Sequence, residues 1–198
     1  MQHSASDVAW IGSIQQFLAV LVGILTSKWV DYGYMYAMCT VGSILIVLGI
    51  MMNGQGTRYV HIFFSHGVCV GVGTGLIYLP CITCCSEYHH QKPGVALGLA
   101  TLGSSLGSLI FPIMFNKLQP NIGYAWTIRI IGFLIMALLL LALLLLRPRS
   151  RAIESRRLFA LHVFKDPVYV VFVLGYFLGN MGLYVPPYFL PSFGKHHK

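Results

Sequence analysis

Arg129 is the one charged residue within the apolar stretch Tyr124–Leu146. A guanidinium is costly inside hydrocarbon, so it either snorkels to the nearer interface or grips a charged partner. It lies about 8 Å from the start of its stretch if that stretch is helical. Its planar fork can hold a carboxylate through two parallel hydrogen bonds. His66, in the apolar stretch Tyr59–Cys81, can accept and release a proton, because unperturbed imidazole titrates at about 6.5. The plainer reading is a histidine bonded within the fold. Gln16, Asn180 and Tyr184 are also polar in apolar surroundings. With Arg129 and His66 they are the candidates for a solute or proton path. Thr101, Ser104, Ser105 and Ser108 fall on one helical face, where small hydroxyls commonly bond the carbonyl one turn back.

Other chemistries find little support. Cys81, Cys84 and Cys85 precede His89 and His90, which are zinc-type ligands. The second ligand pair at a fixed separation is missing, so no metal is expected. Acylation of Cys84 or Cys85 beside a membrane surface competes with the plain reading of inert thiols. The five cysteines are odd in number and absent from outer connectors, which argues against a disulfide framework. Only five acidic residues exist, Asp7, Asp31, Glu87, Glu154 and Asp166, and no two form an evident acid–base pair. There is no Gly-x-Ser-x-Gly or His-Glu-x-x-His motif. Gly71-Val-Gly73-Thr-Gly75 lacks the strand context and final spacing of a dinucleotide fingerprint. The chain is expected to be neither an enzyme nor a cofactor binder.

The elements that carry these residues are six long apolar blocks, at about Val8–Ser27, Met35–Met52, Tyr59–Cys81, Gly94–Phe115, Tyr124–Leu146 and Val168–Leu190. Charged residues are 9% of the chain and apolar ones 57%, whereas soluble domains carry about 25% charge. About 20 residues of helix cross a 30 Å hydrocarbon core, and backbone polar groups in lipid must be satisfied within the segment. The expectation is an all-α, polytopic transmembrane helix bundle with six spans in contact with membrane lipid. The first block has neither a basic leader nor a small-residue cleavage site, so it is not a signal peptide.

The net charge of +8 does not point to nucleic acid, because six of the 13 basic residues lie in one connector, 147–167. A basic connector between spans marks the cytosolic face. With it inside, Lys28 and Lys92 are inside too, giving eight basic residues there and four (Arg58, Lys117, Lys195, Lys198) outside. Both chain ends then face outward, which leads us to expect a helix before residue 1 and more after residue 198. The connector also separates an incomplete bundle at 1–146, with five spans, from residues 168–198, the first span of a second bundle. It is either a solvated basic loop or, over Glu154–Phe164, an amphipathic stretch on the lipid surface. Small residues recur every four positions at Gly67/Gly71/Gly75 and Gly103/Gly107. This spacing lets two helix backbones approach closely, and these glycines are the expected packing positions.

Several stretches carry a family resemblance. Ser6-Asp7-Val8-Ala9-Trp10-Ile11-Gly12-Ser13-Ile14-Gln15 resembles the entry to the second helix of monocarboxylate-porter-like members of the major facilitator superfamily, in particular fungal ones. Gly23 followed by Val30-Asp31-Tyr32-Gly33-Tyr34 is similar to the superfamily's loop between helices two and three. Ala100-Thr101-Leu102-Gly103-Ser104-Ser105-Leu106-Gly107 with Pro112 resembles its fifth helix, and Trp126-Thr127-Ile128-Arg129-Ile130-Ile131-Gly132-Phe133 its sixth. Phe164-Lys165-Asp166-Pro167 and Gly182-Leu183-Tyr184-Val185-Pro186 resemble the opening of its seventh.

The resemblance is collinear over nearly the whole chain. It implies helices two to seven of a twelve-helix transporter that alternates access around a midplane site, moving a small monocarboxylate, often with a proton. It also implies a plasma-membrane location and a cytosolic gating loop carried by Gly23, Asp31 and Gly33. Tyr32, Tyr34 and Tyr36 stand where the family keeps basic residues around that acid. A chain with so few helices is expected to insert without transporting alone, or to complete its bundle as a homo-oligomer. The alternative is a non-transporting membrane protein.

Overall fold

A computed structural model describes residues 5–54, 59–88, 93–146 and 167–179, and every element there is helical. Helix α1 spans Ala5–Asp31 and α2 spans Met35–Asn53. The next rod begins as α3 (Tyr59–Ile62), loosens into π-type turns over Phe63–Val70, and continues without a break as α4 (Gly71–Tyr88). Helix α5 runs over Pro93–Leu145 and α6 over Pro167–Gly179. The chain forms two compact units, Met1–Arg156 and Arg157–Lys198. In the second, the described element is α6, whose Val168, Val171 and Phe172 are exposed.

Among the described residues, four helical stretches are long and apolar enough to cross a membrane: Trp10–Val30, Met35–Asn53, Val60–Cys85 and Gly94–Leu145. The last has 52 residues, about 78 Å of helix, more than twice a hydrocarbon core. Gly123 divides it. Its φ of 77° and ψ of 167° are not helical, and positive φ comes without steric cost to glycine. Pro120 lies three residues earlier and cannot donate to the carbonyl of Asn116. Across the break, the Phe115 and Tyr124 rings meet edge to face, 6.1 Å apart. The two expected spans Gly94–Phe115 and Tyr124–Leu146 are therefore the two arms of α5. Beyond Gly179, the sixth block lies outside the described residues.

The turn from α1 to α2 follows from one glycine. Gly33 has φ 86° and ends α1 in the left-handed conformation. The Gly33 N–H donates to Val30 O (2.9 Å) and the Tyr34 N–H donates to Trp29 O (3.1 Å). Those are the two bonds of a Schellman cap, which satisfy terminal carbonyls that lipid cannot.

The rod Tyr59–Tyr88 is the centre of the first unit. It packs against α1 on one side and α2 on the other, while α1 and α2 touch little beyond their turn. Pairing runs Ile11 to Gly67, Gln15 to Gly71 and Ala19 to Gly75, so α1 and the rod are parallel. Helix α2 runs antiparallel to it: Gly42 meets Gly73 and Ile77, whereas Gly49 meets Ser65 and Val70. That is the up-down order expected when successive helices cross the same membrane. The second arm of α5 leans on the end of α2, where Gly54 faces Ala125 and Ile128 and Gly132 faces Met51.

Candidate functional site

Close packing around the rod comes from glycines on two of its sides. A methyl group at Gly75 would lie 2.6 Å from the Ala19 carbonyl oxygen, and one at Gly71 would lie 2.9 Å from that of Gln15. Two residues along a helix is a rotation of about 200°, so Gly73 faces the other way. A methyl there would lie 2.8 Å from the Gly42 carbonyl oxygen, and one at Gly49 would lie 2.6 Å from that of Ser65. Gly67 and Gly23 are looser, with 3.7 Å to the nearest atoms of Ile11 and Gly75. Backbone thus meets backbone, where dispersion contacts hold helices together in lipid. Gly42 and Gly49 were not singled out in the sequence, and Gly73 was not among the expected packing positions. The seven-residue spacing of Gly42 and Gly49, two turns on one face, is the signal that marks them.

The first arm of α5 differs. Among the described residues, a methyl group added at Gly94, Gly98 or Gly103 would meet no atom of another element within 4 Å, and one at Gly107 would meet Phe111 of its own helix. Its polar face is internally satisfied. The hydroxyls of Thr101 and Ser104 donate to Gly98 O and Thr101 O, each at 2.8 Å, and Ser105 and Ser108 also donate to carbonyls one turn back. Buried Thr26, Ser43 and Thr127 do the same at 2.7–2.8 Å.

His66 lies in the π-type segment, a geometry often found at functional places because it leaves helix bonds out of register. Its Nδ1 is buried and has no hydrogen-bond partner among the described residues. One imidazole nitrogen is therefore open to a proton, a water or a solute. Arg129 is half-buried, with its guanidinium 5.1 Å from the centre of the Trp126 ring. This cation–π contact offsets part of the cost of a charge in lipid. Tyr124, Ile128 and Gly132 turn toward α2, which puts Arg129 on the flank of α5 and Trp126 on its far side. Among the described residues, no carboxylate bonds the guanidinium. Gln16 is exposed on α1, one position round from the face that meets the rod. Among the described residues, Gln16, His66 and Arg129 share no hydrogen bond, so the structure leaves them on three separate helices. Asn180 and Tyr184 lie outside the described residues, as does the connector at 147–166. Asp31 ends α1 just before the Gly33 cap.

Asn53, at the end of α2, is a residue that sequence reasoning missed. It is buried and hydrogen-bonds Tyr124, just after the Gly123 break, while its Oδ1 is buried and unbonded. The pair pins the second arm of α5 to α2. An asparagine in a run of methionines at a block's edge was the available signal, but its partner is 71 positions away in sequence (124 − 53).

The first unit is a set of apolar helices whose glycines pack backbone against backbone and whose small hydroxyls bond their own helices. The whole chain, residues 1–198, matches the Major Facilitator Superfamily. It belongs to that superfamily. It is 37% identical over 193 residues to the MFS-type transporter dbaD of Emericella nidulans, covering 98% of this chain and 44% of that protein. It is 33% identical over 196 residues to the aspyridones efflux protein apdF of the same organism, covering 98% of this chain and 40% of that one. With the MFS-type transporter eupM of a Phoma species it shares 35% identity over 174 residues, covering 87% of this chain and 62% of eupM. The chain thus spans less than half the length of dbaD and apdF. It is a multi-pass integral membrane protein of a family of transmembrane transporters.

Proposed function

We propose that the chain takes part in moving a small organic anion, a monocarboxylate in the simplest case, across the plasma membrane by alternating access, with Arg129 as the anion contact. The observation that carries this reading is a half-buried guanidinium that lies over the Trp126 ring and, among the described residues, bonds no carboxylate. An arginine held in place by a ring keeps its fork of donors for a carboxylate. The open Nδ1 of His66 supports proton coupling, because it can take up a proton without breaking a bond. The collinear motifs support placing the chain as helices two to seven of a monocarboxylate-porter-like carrier. In that arrangement the central site is shared between two bundles, and Asn180 and Tyr184 would contribute from the second. A second reading is outward transport of a larger organic solute. It is favoured by relatives whose names state efflux, of aspyridones and of fujikurins.

One chimera separates these readings. The aligned part of apdF is replaced by this chain, and vesicles are assayed for uptake of labelled lactate, pyruvate and acetate under a proton gradient, and for aspyridone export. Saturable, gradient-dependent monocarboxylate uptake is expected. Arg129→Gln should abolish it, and Arg129→Lys should restore it only in part, since an ammonium cannot reproduce the fork. Export of aspyridones without monocarboxylate uptake would favour the second reading. Uptake unchanged in Arg129→Gln would leave Arg129 as a snorkelling side chain.

A further inference from the structure

Cys39 of α2 and Cys81 of α4 come from different helices and meet. Gly42 lies against Gly73, Leu76 and Ile77, with backbone close to backbone. One turn toward the start of α2 from Gly42 is Cys39, and one turn toward the end of α4 from Ile77 is Cys81. The antiparallel register therefore sets the two side chains on facing sides of the contact, where the two thiols interact. A disulfide needs Cα atoms about 4.4–6.8 Å apart, which only helices in near backbone contact provide. The contact of Gly42 with Leu76 and Ile77, about one turn from each cysteine, brings the two helices that near. Pro80, fully buried beside Cys81, leaves the Leu76 carbonyl without its helical donor. Helix α4 is thereby easier to bend at the point where sulfur atoms must close.

Exposure differs across the pair. Cys39 is 3% exposed, whereas Cys81 is only partly buried. A small oxidant in solution therefore reaches Cys81 first. Cys84, one turn further along α4, is close to the pair, but among the described residues no three ligand-type side chains converge as a metal site.

We propose that Cys39 and Cys81 form an oxidisable thiol pair, which a hydroperoxide converts to a disulfide tying α2 to α4. In the first step the Cys81 sulfur attacks a peroxide oxygen. The O–O bond breaks, the released hydroxide takes the thiol proton as water, and Cys81 becomes a sulfenic acid. In the second step the Cys39 sulfur displaces that hydroxyl, which leaves as water with the Cys39 proton, and the S–S bond forms. Two electrons pass from the thiols to the peroxide, and two waters result. Because Cys39 already touches Cys81, the sulfenic acid is captured before a second peroxide reaches it. A reducing thiol in the surrounding solution reverses the link by exchange.

The test uses the whole chain in its native membranes, exposed to hydrogen peroxide. Remaining thiols are blocked with N-ethylmaleimide under denaturing conditions, and unreduced digests are read by mass spectrometry. A peptide containing Cys39 linked to one containing Cys81 should appear and vanish on treatment with dithiothreitol. It should persist in Cys84→Ser. In Cys81→Ser it should be absent, with Cys39 recovered as its maleimide adduct. A Cys81–Cys84 link, a link between two chains, sulfinic acid at Cys81 with Cys39 free, or no oxidation of either thiol would each overturn the proposal. The unsubstituted chain alone decides the matter, so a variant that fails to fold does not.

Discussion

Two stretches of this chain carry the same small-residue pattern and sit in opposite surroundings. Gly71, Gly73 and Gly75 lie in the central rod, wedged against α1 and α2, with carbonyl oxygens where a methyl group would go. Gly94, Gly98 and Gly103 lie on the first arm of α5 and face open space. In the most apolar 18-residue window of the rod's stretch Val60–Cys85, 28% of residues are buried, against 6% in that of Gly94–Leu145. A glycine every four residues therefore states that a helix is able to accept a close neighbour. It does not state which neighbour, or that one is present, because lipid tails fill an open face with no hydrophobic penalty.

The largest effect is expected where two backbones meet. Gly73→Leu or Gly75→Leu should leave no monodisperse peak when detergent-solubilised protein is run by size exclusion, because the new atoms overlap backbone rather than flexible side chains. Gly103→Leu in the same assay should be silent. If it were as damaging as Gly75→Leu, the first arm of α5 would be packed against something in solution, and the contrast would fail. A graded version is Gly42→Ala. Its single methyl, 2.8 Å from the Gly73 carbonyl oxygen, should destabilise by about 1–3 kcal/mol. That should appear as a lower thermal midpoint of the solubilised protein, while Gly98→Ala moves it little.

Gly33→Ala tests the cap rather than the packing. An alanine held at positive φ costs about 1–2 kcal/mol, and the midpoint should fall by less than for Gly73→Leu. The smallest effect is expected at the pin between α2 and the second arm of α5. Tyr124→Phe removes the hydroxyl that Asn53 bonds and should cost about 1 kcal/mol. A fall as large as that of Gly42→Ala would mean the pin, not the glycine contacts, holds the second arm.

Much of this fold was legible before any coordinate. Block edges at Met35 and Tyr59 coincide with helix starts, and the break between Phe115 and Tyr124 falls at Gly123. The self-bonding of Thr101, Ser104 and Ser108 also follows from residue type, since a small hydroxyl in lipid has its own helix as the nearest acceptor. The contacts were not legible. Asn53 with Tyr124, and Cys39 with Cys81, join residues far apart in sequence whose types carry no mark of their partners. The loosening of the rod into π-type turns around His66 likewise has no evident signal in Phe63–Val70.

By itself the sequence determined that this chain is helical, crosses a membrane several times and carries few charges within its spans. Those properties add residue by residue: each side chain contributes its own transfer free energy, and each backbone group in lipid requires a bond within its helix. Only the tertiary structure decided which glycines are wedged and which are open, and that two cysteines touch while Gln16, His66 and Arg129 stay apart. Such outcomes depend on which faces meet and in what register. That is a property of pairs of helices, and no single helix carries it in its own residues.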